Sequence, residues 1–225
     1  MITTIFIDID NTLLDFDLCA ADSIRSGFAD WKIPYTDFIF DTFREINESL
    51  WKRIEKGTLT REELLKTRWQ IIFDKLGIKK SGIEFEQVFI RYLTQSHSQV
   101  EGAAELVKYL SRKYMICATS NAPHEQQLIR LEKAGMLQYI THVFTSEQIG
   151  YSKPGKEFFD ACFAQLKNTN KDEVLLIGDS ITADIDGGVS YGLKTCWFNH
   201  DKVAVPPDLK ADHVFNSLEE IKNLL

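Results

Sequence analysis

The chain opens with Ile2-Thr3-Thr4-Ile5-Phe6-Ile7-Asp8-Ile9, an apolar run rich in Ile and Phe that stops at Asp10-Asn11-Thr12. An unbroken apolar run that ends in polar turn residues is typical of a strand buried on both faces. Similar short runs recur at 115–118, 174–177 and 195–198, with helical patterns between them. Strands that alternate with helices predict an α/β fold with a parallel sheet.

Residues 16–97 show a different pattern, with helical periodicity and no convincing strand. Phe43, Ile46 and Leu50 fall on one helical face, and Thr60-x-x-Glu63 is a capping-box pattern that predicts the start of another helix. We therefore predict a Rossmann-like parallel-sheet core made of residues 1–15 and 98–225. A helical cap domain, residues 16–97, is inserted after the first strand.

Side chains of the predicted cap are assigned by their spacing. Phe43, Trp51 and Trp69 lie at helical spacings that favour a role in the core of the cap. The basic residues of the same segment are most simply exposed to solvent; they are Lys52, Arg53, Arg61 and Arg68.

Composition limits the classes of partner. The 225 residues are 44% apolar, and 26 basic against 33 acidic side chains give a net charge of −7. This balance supplies no basic surface for nucleic acid or an anionic membrane, so we expect neither as a partner. The four cysteines are widely spaced and no apolar run has the length of a membrane span, which favours a cytoplasmic protein with buried, reduced cysteines.

Polar residues follow the predicted strands at the points where they end, and ligands of open α/β sheets bind at those ends. These residues are Asp8 and Asp10, Ser120 and Asn121, Lys153, and Asp179 and Asp184. If these carboxylates gathered around the one ammonium group, each pair 4 Å apart would repel by about 4 kcal/mol at an effective dielectric of about 20. A bound cation would offset this repulsion. Oxygen ligands without a His or Cys cluster select a hard ion such as Mg²⁺.

Four of these segments resemble the motifs of the haloacid dehalogenase (HAD) superfamily, in the same order along the chain. The matching segments are Asp8-Ile9-Asp10-Asn11-Thr12 for D-x-D-x-T, Thr119-Ser120-Asn121, Lys153-Pro154, and Gly178-Asp179-Ser180-x-x-x-Asp184. The second motif departs from a common form, with Ala122 where many members carry Gly.

The resemblance implies phosphoryl transfer through an aspartyl-phosphate. Asp8 would be the nucleophile and a Mg²⁺ ligand. Asp10 would protonate the leaving oxygen, later deprotonate the attacking water, and ligate the metal through its backbone carbonyl. Asp179 would complete the protein's share of the metal ligands.

The remaining motif residues have implied roles around the phosphoryl group. Ser120 and Asn121 would hold its oxygens, and Lys153 would balance charge on the nucleophile and the phosphate. Asp184 would orient Lys153 or a metal-bound water, although it could equally cap a helix.

A narrower resemblance concerns the substrate. Residues 12–17, segments of the cap and Thr195-Cys196-Trp197-Phe198-Asn199 look like the YjjG-type pyrimidine 5'-nucleotidases. This implies a small phosphorylated metabolite, a nucleoside 5'-monophosphate, as substrate. Phe16 lies near the predicted hinge and only a few residues from Asp10, so we expect this aromatic ring to lie against the base. A sugar phosphomutase or another small-metabolite phosphatase of the superfamily remains an alternative, and a metal-independent 2-haloacid dehalogenase is disfavoured by Asp10 and by the Asp179 and Asp184 pair.

Overall fold

The computed structural model describes all residues from 1 to 225, which form two compact units. The first unit combines Met1–Phe16 with His97–Leu225, and the second is Asp17–Ser96. The function of the second unit as a cap stays a prediction.

The first unit is built on a six-stranded sheet in which every neighbouring pair is parallel. Its strands are β1 (Thr4–Asp8), β2 (Met115–Ser120), β3 (His142–Thr145), β4 (Val174–Gly178), β5 (Lys194–Phe198) and β6 (His213–Phe215). The order across the sheet is β3-β2-β1-β4-β5-β6, so the chain reverses its winding direction at β1. This is the order of a Rossmann-type sheet, and it confirms the predicted α/β fold.

β1 lies in the middle of the sheet, and its apolar side chains pack into the cores on both faces. All five of its residues are buried. Ile5 and Ile7 belong to the apolar core on one face, whereas Phe6 belongs to the core on the other. Alternate residues of a strand point to opposite faces, so a strand covered on both sides needs an unbroken apolar run.

Helices cover both faces of this sheet. They are α5 (Ala103–Leu110), α6 (His124–Lys133), α7 (Ser146–Ile149), α8 (Lys156–Gln165), α9 (Gly187–Tyr191) and α10 (Leu218–Leu224), with a π-helical turn at Ile181–Asp186. Side chains of α5 and α10 complete the core that contains Ile5, and side chains of α8 complete the core that contains Phe6.

Residues 16–96 contain four helices and no strand, as predicted. The helices are α1 (Phe16–Asp30), α2 (Asp37–Glu55), α3 (Arg61–Leu76) and α4 (Gly82–Gln95). Thr60 and Glu63 form the predicted capping box at the start of α3. Aromatic rings fill the centre, with Trp69 4.5 Å from Phe85 and 5.5 Å from Phe43 between ring centroids.

Two side-chain predictions for this unit are wrong. Trp51 is only partly buried, whereas Phe43 and Trp69 are buried in the aromatic centre. Arg68 is not on a solvated face but is 4% exposed. Its guanidinium pairs with Glu86 at 2.5 Å and donates to Asn47 Oδ1 at 2.7 Å, so partners distant in the sequence compensate its burial.

None of the helices combines the length and the apolar character that crossing a bilayer requires.

Candidate active site

The candidate site lies at the carboxyl ends of three adjacent strands. Asp8 is the last residue of β1, Ser120 is the last residue of β2, and Asp179 directly follows β4. Since β1 lies between β2 and β4, these residues reach the same edge of the sheet at its switch point. The sheet thereby places Asp8 beside two segments that are each more than 100 residues away from it in the sequence.

Three carboxylates converge at this edge. One oxygen from each of Asp8, Asp179 and Asp184 lies within 4.8 Å of the other two. The donor set consists of oxygen atoms alone, which suits a hard divalent cation such as Mg²⁺ better than zinc or copper. The predicted metal-binding residues Asp8 and Asp179 are therefore placed where they could hold one ion together.

Asp179 is oriented by its neighbours. Its Oδ1 accepts a hydrogen bond from Thr12 Oγ1 at 3.4 Å, and its backbone carbonyl accepts one from Trp197 Nε1 at 2.8 Å. His200 Nε2 lies 4.0 Å from the second carboxylate oxygen. The indole of β5 thus fixes the main chain of Asp179.

Lys153 is buried among the carboxylates and is only 2% exposed. Its Nζ donates to Asp8 Oδ1 at 2.6 Å, to Asp184 Oδ1 at 2.7 Å and to the Thr119 carbonyl at 3.2 Å. These contacts use all three protons of the ammonium group. Burial acts to lower the pKa of Lys153, but the carboxylates of Asp184 and Asp8 outweigh it and hold the pKa above the ordinary lysine value.

The charges of the carboxylates are only partly compensated by this ammonium. Burial raises the pKa of Asp8 to about 7, while Lys153 opposes the shift and the charge of Asp184 adds to it. Burial, with the charges of Asp8 and Asp184, also raises the pKa of Asp179 well above its ordinary value. Burial thus disfavours the ionised forms of Asp8 and Asp179, and a further cation at this place would stabilise them.

Gly178 is needed because Asp184 occupies the space beside it. A Cβ atom at Gly178 would lie 2.2 Å from Asp184 Oδ2. The same Oδ2 accepts a hydrogen bond from the backbone N–H of Ser180, while Oδ1 accepts from Lys153. Asp184 thus contacts Lys153 and also the backbone of Ser180, the residue before the π-helical turn.

Asn121 binds the main chain of Lys153. Its Oδ1 accepts from the Lys153 backbone N–H, and its Nδ2 donates to the Lys153 carbonyl, each at 2.9 Å. Both polar atoms of the side chain are thus used to place the lysine. Direct contact between Asn121 and a phosphoryl oxygen stays a prediction.

Ser120 presents its hydroxyl in a defined direction. Its Oγ accepts hydrogen bonds from the backbone N–H of Ala122 at 3.0 Å and from Gln127 Nε2 at 2.9 Å. A hydroxyl has two lone pairs and one proton, so these contacts leave the proton to be donated. This arrangement suits an anionic oxygen as its acceptor.

Asp10 is held by two residues that the sequence analysis missed. Arg130 NH1 donates to Asp10 Oδ1 at 2.6 Å, and Gln127 Nε2 donates to Asp10 Oδ2 at 2.6 Å. Both come from α6, three residues apart and therefore on one helical face. Nothing in the sequence of this helix distinguishes the two residues from other polar helical side chains.

Phe16, the predicted base-binding residue, begins α1. Its backbone N–H donates to Asn11 Oδ1 at 3.0 Å, and Asn11 has a positive φ of 60° in the tight turn after Asp10. The turn links the position of Phe16 to that of Asp10. Contact of its ring with a substrate stays a prediction.

The arrangement has the components of a nucleophilic substitution at an anionic centre. A carboxylate, Asp8, is paired with a buried ammonium, and a second carboxylate, Asp10, lies two residues away with its own cation. The group of three acidic side chains can hold a divalent ion beside the first carboxylate. These groups can neutralise negative charge on an incoming substrate and move a proton.

Comparison with known proteins agrees with this arrangement. The sequence model of the haloacid dehalogenase-like hydrolase family matches residues 2–192. The HAD-hydrolase YfnB of Bacillus subtilis is 33% identical over 222 residues, which are 99% of this chain and 94% of that protein. A crystal structure of YfnB bound to magnesium has a TM-score of 0.94 to this chain, covering 100% of this chain and 98% of that one.

Two further relatives are named pyrimidine 5'-nucleotidases. PynA of Streptococcus pneumoniae is 33% identical over 193 residues, which cover 85% of this chain and 81% of PynA. YjjG of Escherichia coli is 28% identical over 221 residues, which cover 98% of this chain and 96% of YjjG. The resemblance drawn from the sequence motifs is confirmed.

Proposed function

Because this chain belongs to the haloacid dehalogenase-like hydrolases, we propose that it is a Mg²⁺-dependent phosphatase that acts through a phosphorylated Asp8. The observation that carries the proposal is the buried contact of Lys153 with Asp8, whose carboxylate converges with those of Asp179 and Asp184 to within 4.8 Å. A carboxylate and a phosphate dianion repel each other, so a phosphatase with an aspartate nucleophile needs cations at this place.

Asp8, Asp179 and the backbone carbonyl of Asp10 would hold the metal ion. Bound there, Mg²⁺ supplies positive charge that screens the nucleophile from the phosphate. Lys153 contributes a second cation at Asp8 Oδ1. Asp184 holds Lys153 in place through its Oδ1, and Asn121 holds the backbone of the same lysine.

The reaction would proceed in two displacements at phosphorus. In the first, a bond forms between Asp8 and phosphorus, the bond to the leaving oxygen breaks, and Asp10 gives that oxygen a proton. In the second, water attacks phosphorus, the bond to Asp8 breaks, and Asp10 takes the proton of the water. Proton transfer of this kind typically contributes about 10²–10⁴-fold to a rate, and Ser120 would donate its proton to a phosphoryl oxygen.

The proposed substrate is a pyrimidine nucleoside 5'-monophosphate. Two relatives that align with most of this chain, PynA and YjjG, are named pyrimidine 5'-nucleotidases. Phe16 is the proposed contact for the base, because it follows the turn that carries Asp10. A small phosphorylated metabolite is thus the class of partner that we infer.

A screen for phosphate release tests reaction, metal and substrate together. Purified protein is assayed against nucleoside monophosphates and sugar phosphates, with MgCl₂ and with excess chelator, and Asp8→Asn measures the background. We expect phosphate release that requires Mg²⁺ and is fastest with pyrimidine nucleotides. Activity towards 2-haloacids that persists in chelator, without phosphate release, would overturn the phosphatase. Isomerised sugar phosphate without free phosphate would instead indicate a mutase.

A further inference from the structure

Arg130 and Gln127 hold both oxygens of the Asp10 carboxylate. Arg130 NH1 lies 2.6 Å from Oδ1, and Gln127 Nε2 lies 2.6 Å from Oδ2. Both side chains are fully buried, and Arg130 NH1 also donates to Gln127 Oε1 at 3.1 Å. The two residues therefore fix each other as well as Asp10.

Burial of a guanidinium group destabilises a protein unless its charge is paired. The carboxylate that Arg130 NH1 contacts belongs to Asp10, the proposed acid and base. Neither Arg130 nor Gln127 forms or breaks a bond in the two proposed displacements. Their buried contact with a reacting group is therefore a feature that the two displacements leave unexplained.

We propose that Arg130 and Gln127 are positioning residues that set the Asp10 carboxylate for proton transfer and tie it to Ser120, an inference that rests on the proposed function. Two hydrogen bonds to different oxygens fix the plane of the carboxylate. Each oxygen accepts one of these bonds and keeps a second lone pair for a proton. Asp10 can therefore exchange a proton while it remains held.

Gln127 links the acid to the residue proposed to bind the phosphoryl group. Its Nε2 donates one proton to Asp10 Oδ2 and the other to Ser120 Oγ. The Gln127 amide thus sets the distance between Ser120, which would hold a phosphoryl oxygen, and Asp10, which would protonate the leaving oxygen. A misplacement of about 1 Å in such a pair costs on the order of 10²-fold in rate.

The test compares substrates that differ in their need for an acid. The oxygen that leaves a nucleoside 5'-monophosphate is a poor alkoxide and needs a proton, whereas p-nitrophenolate leaves without one. We would measure kcat/KM for uridine 5'-monophosphate, or the alkyl phosphate that proves fastest, and for p-nitrophenyl phosphate. This parameter reports the steps up to departure of the leaving group.

The variants are Arg130→Met and Gln127→Met, with Asp10→Asn as the reference for complete loss of the acid. We expect Arg130→Met and Gln127→Met each to lower kcat/KM for the alkyl phosphate by roughly 10–100-fold. The value for p-nitrophenyl phosphate should fall by a much smaller factor, because its leaving group needs no proton, and any loss on this substrate in Gln127→Met would come from the displaced Ser120 alone. Arg130→Lys should recover part of the loss, since it keeps a cation near Asp10.

Arg68→Met is the matched control. Arg68 is also buried and ion-paired, but its partner is Glu86 in the second unit. Its loss should lower the melting temperature and leave the ratio of the two kcat/KM values unchanged. If Arg130→Met does not fold, Gln127→Met carries the test, because it changes no charge.

Three outcomes separate the inference from the function on which it rests. Wild-type protein that releases no phosphate from either substrate would overturn the proposed function itself. An active wild type whose two variants lose activity equally on both substrates would reduce Arg130 and Gln127 to a structural role and overturn the inference alone. Selective loss on the alkyl phosphate, in parallel with Asp10→Asn, would support it.

Discussion

Addition of Mg²⁺ is expected to stabilise the folded protein against heat, because the carboxylates of Asp8, Asp179 and Asp184 are close and incompletely neutralised. Two unit charges 4.8 Å apart repel each other by about 3.5 kcal/mol at an effective dielectric of about 20. Lys153 contacts Asp8 and Asp184, whereas the basic group beside Asp179 is His200 at 4.0 Å. An ion bound among the three would relieve the repulsion that remains in the native state.

The size of the effect follows from mass action. An ion that binds only the native state at about 100 times its Kd adds about 2.7 kcal/mol to the free energy of unfolding, or roughly 5–11 °C in melting temperature for a chain of this length. Scanning calorimetry in millimolar MgCl₂ and in chelator, at matched ionic strength, measures the shift. We expect Asp179→Asn to melt higher than the wild type in chelator and to lose the response to Mg²⁺.

Asp208→Asn is the control for this experiment, since Asp208 is exposed in the first unit, outside the three-carboxylate group. It should keep the full response of the wild type. A wild-type melting curve that millimolar Mg²⁺ does not move would refute the reasoning. So would an Asp179→Asn variant that responds as strongly as the wild type, because the ion would then bind elsewhere.

Three further predictions concern the same group of residues. Asp8→Asn should lower phosphate release by at least about 10⁴-fold, because the amide cannot attack phosphorus; circular dichroism should show an intact fold, and substantial turnover would exclude Asp8 as nucleophile. Gly178→Ala should destabilise the protein by about 1–3 kcal/mol in denaturant titrations, since its Cβ would lie 2.2 Å from Asp184 Oδ2; a neutral effect would mean that Asp184 can move freely. The shift of melting temperature by Mg²⁺ should grow from about pH 5.5 to about pH 8. The raised pKa of Asp8, about 7 without metal, means that acid keeps a proton on the carboxylate in competition with the ion. A shift that shrinks with rising pH would contradict this sign.

The central strands could be predicted from the sequence, but the edge strands could not. β1 and β4 are covered on both faces, so each needs the continuous apolar run that the sequence shows. β3 and β6 have only four and three residues, each beginning with a histidine and partly exposed. A strand at the edge of the sheet has only one neighbouring strand and does not need a continuous apolar run. Its hydrophobic pattern therefore resembles that of a loop.

Some residues of the candidate site could likewise be predicted from the sequence, and others could not. Asp8 and Asp179 occupy fixed places relative to predicted strands, so local motifs were enough to bring them together. Arg130 contacts Asp10 across 120 positions from the middle of a helix. Neither its own neighbours nor the spacing of α6 reveals this contact. Arg68 shows the same limit in the second unit, because its partner Glu86 lies on another helix.

The contact of Arg130 with Asp10 changes the charge balance expected from the sequence, which had a single cation, Lys153, among the acidic residues. The structure brings together four carboxylates and two cations: Asp8, Asp10, Asp179 and Asp184 with Lys153 and Arg130. Two negative charges remain uncompensated when all groups are ionised, and one remains when Asp10 carries the proton that it would give to the leaving oxygen. A phosphate monoester dianion would therefore meet a negative site before a divalent ion binds, and a neutral or positive site afterwards. We therefore expect the metal ion to bind first and the phosphate ester second, so that the affinity for the ester depends on the presence of the metal.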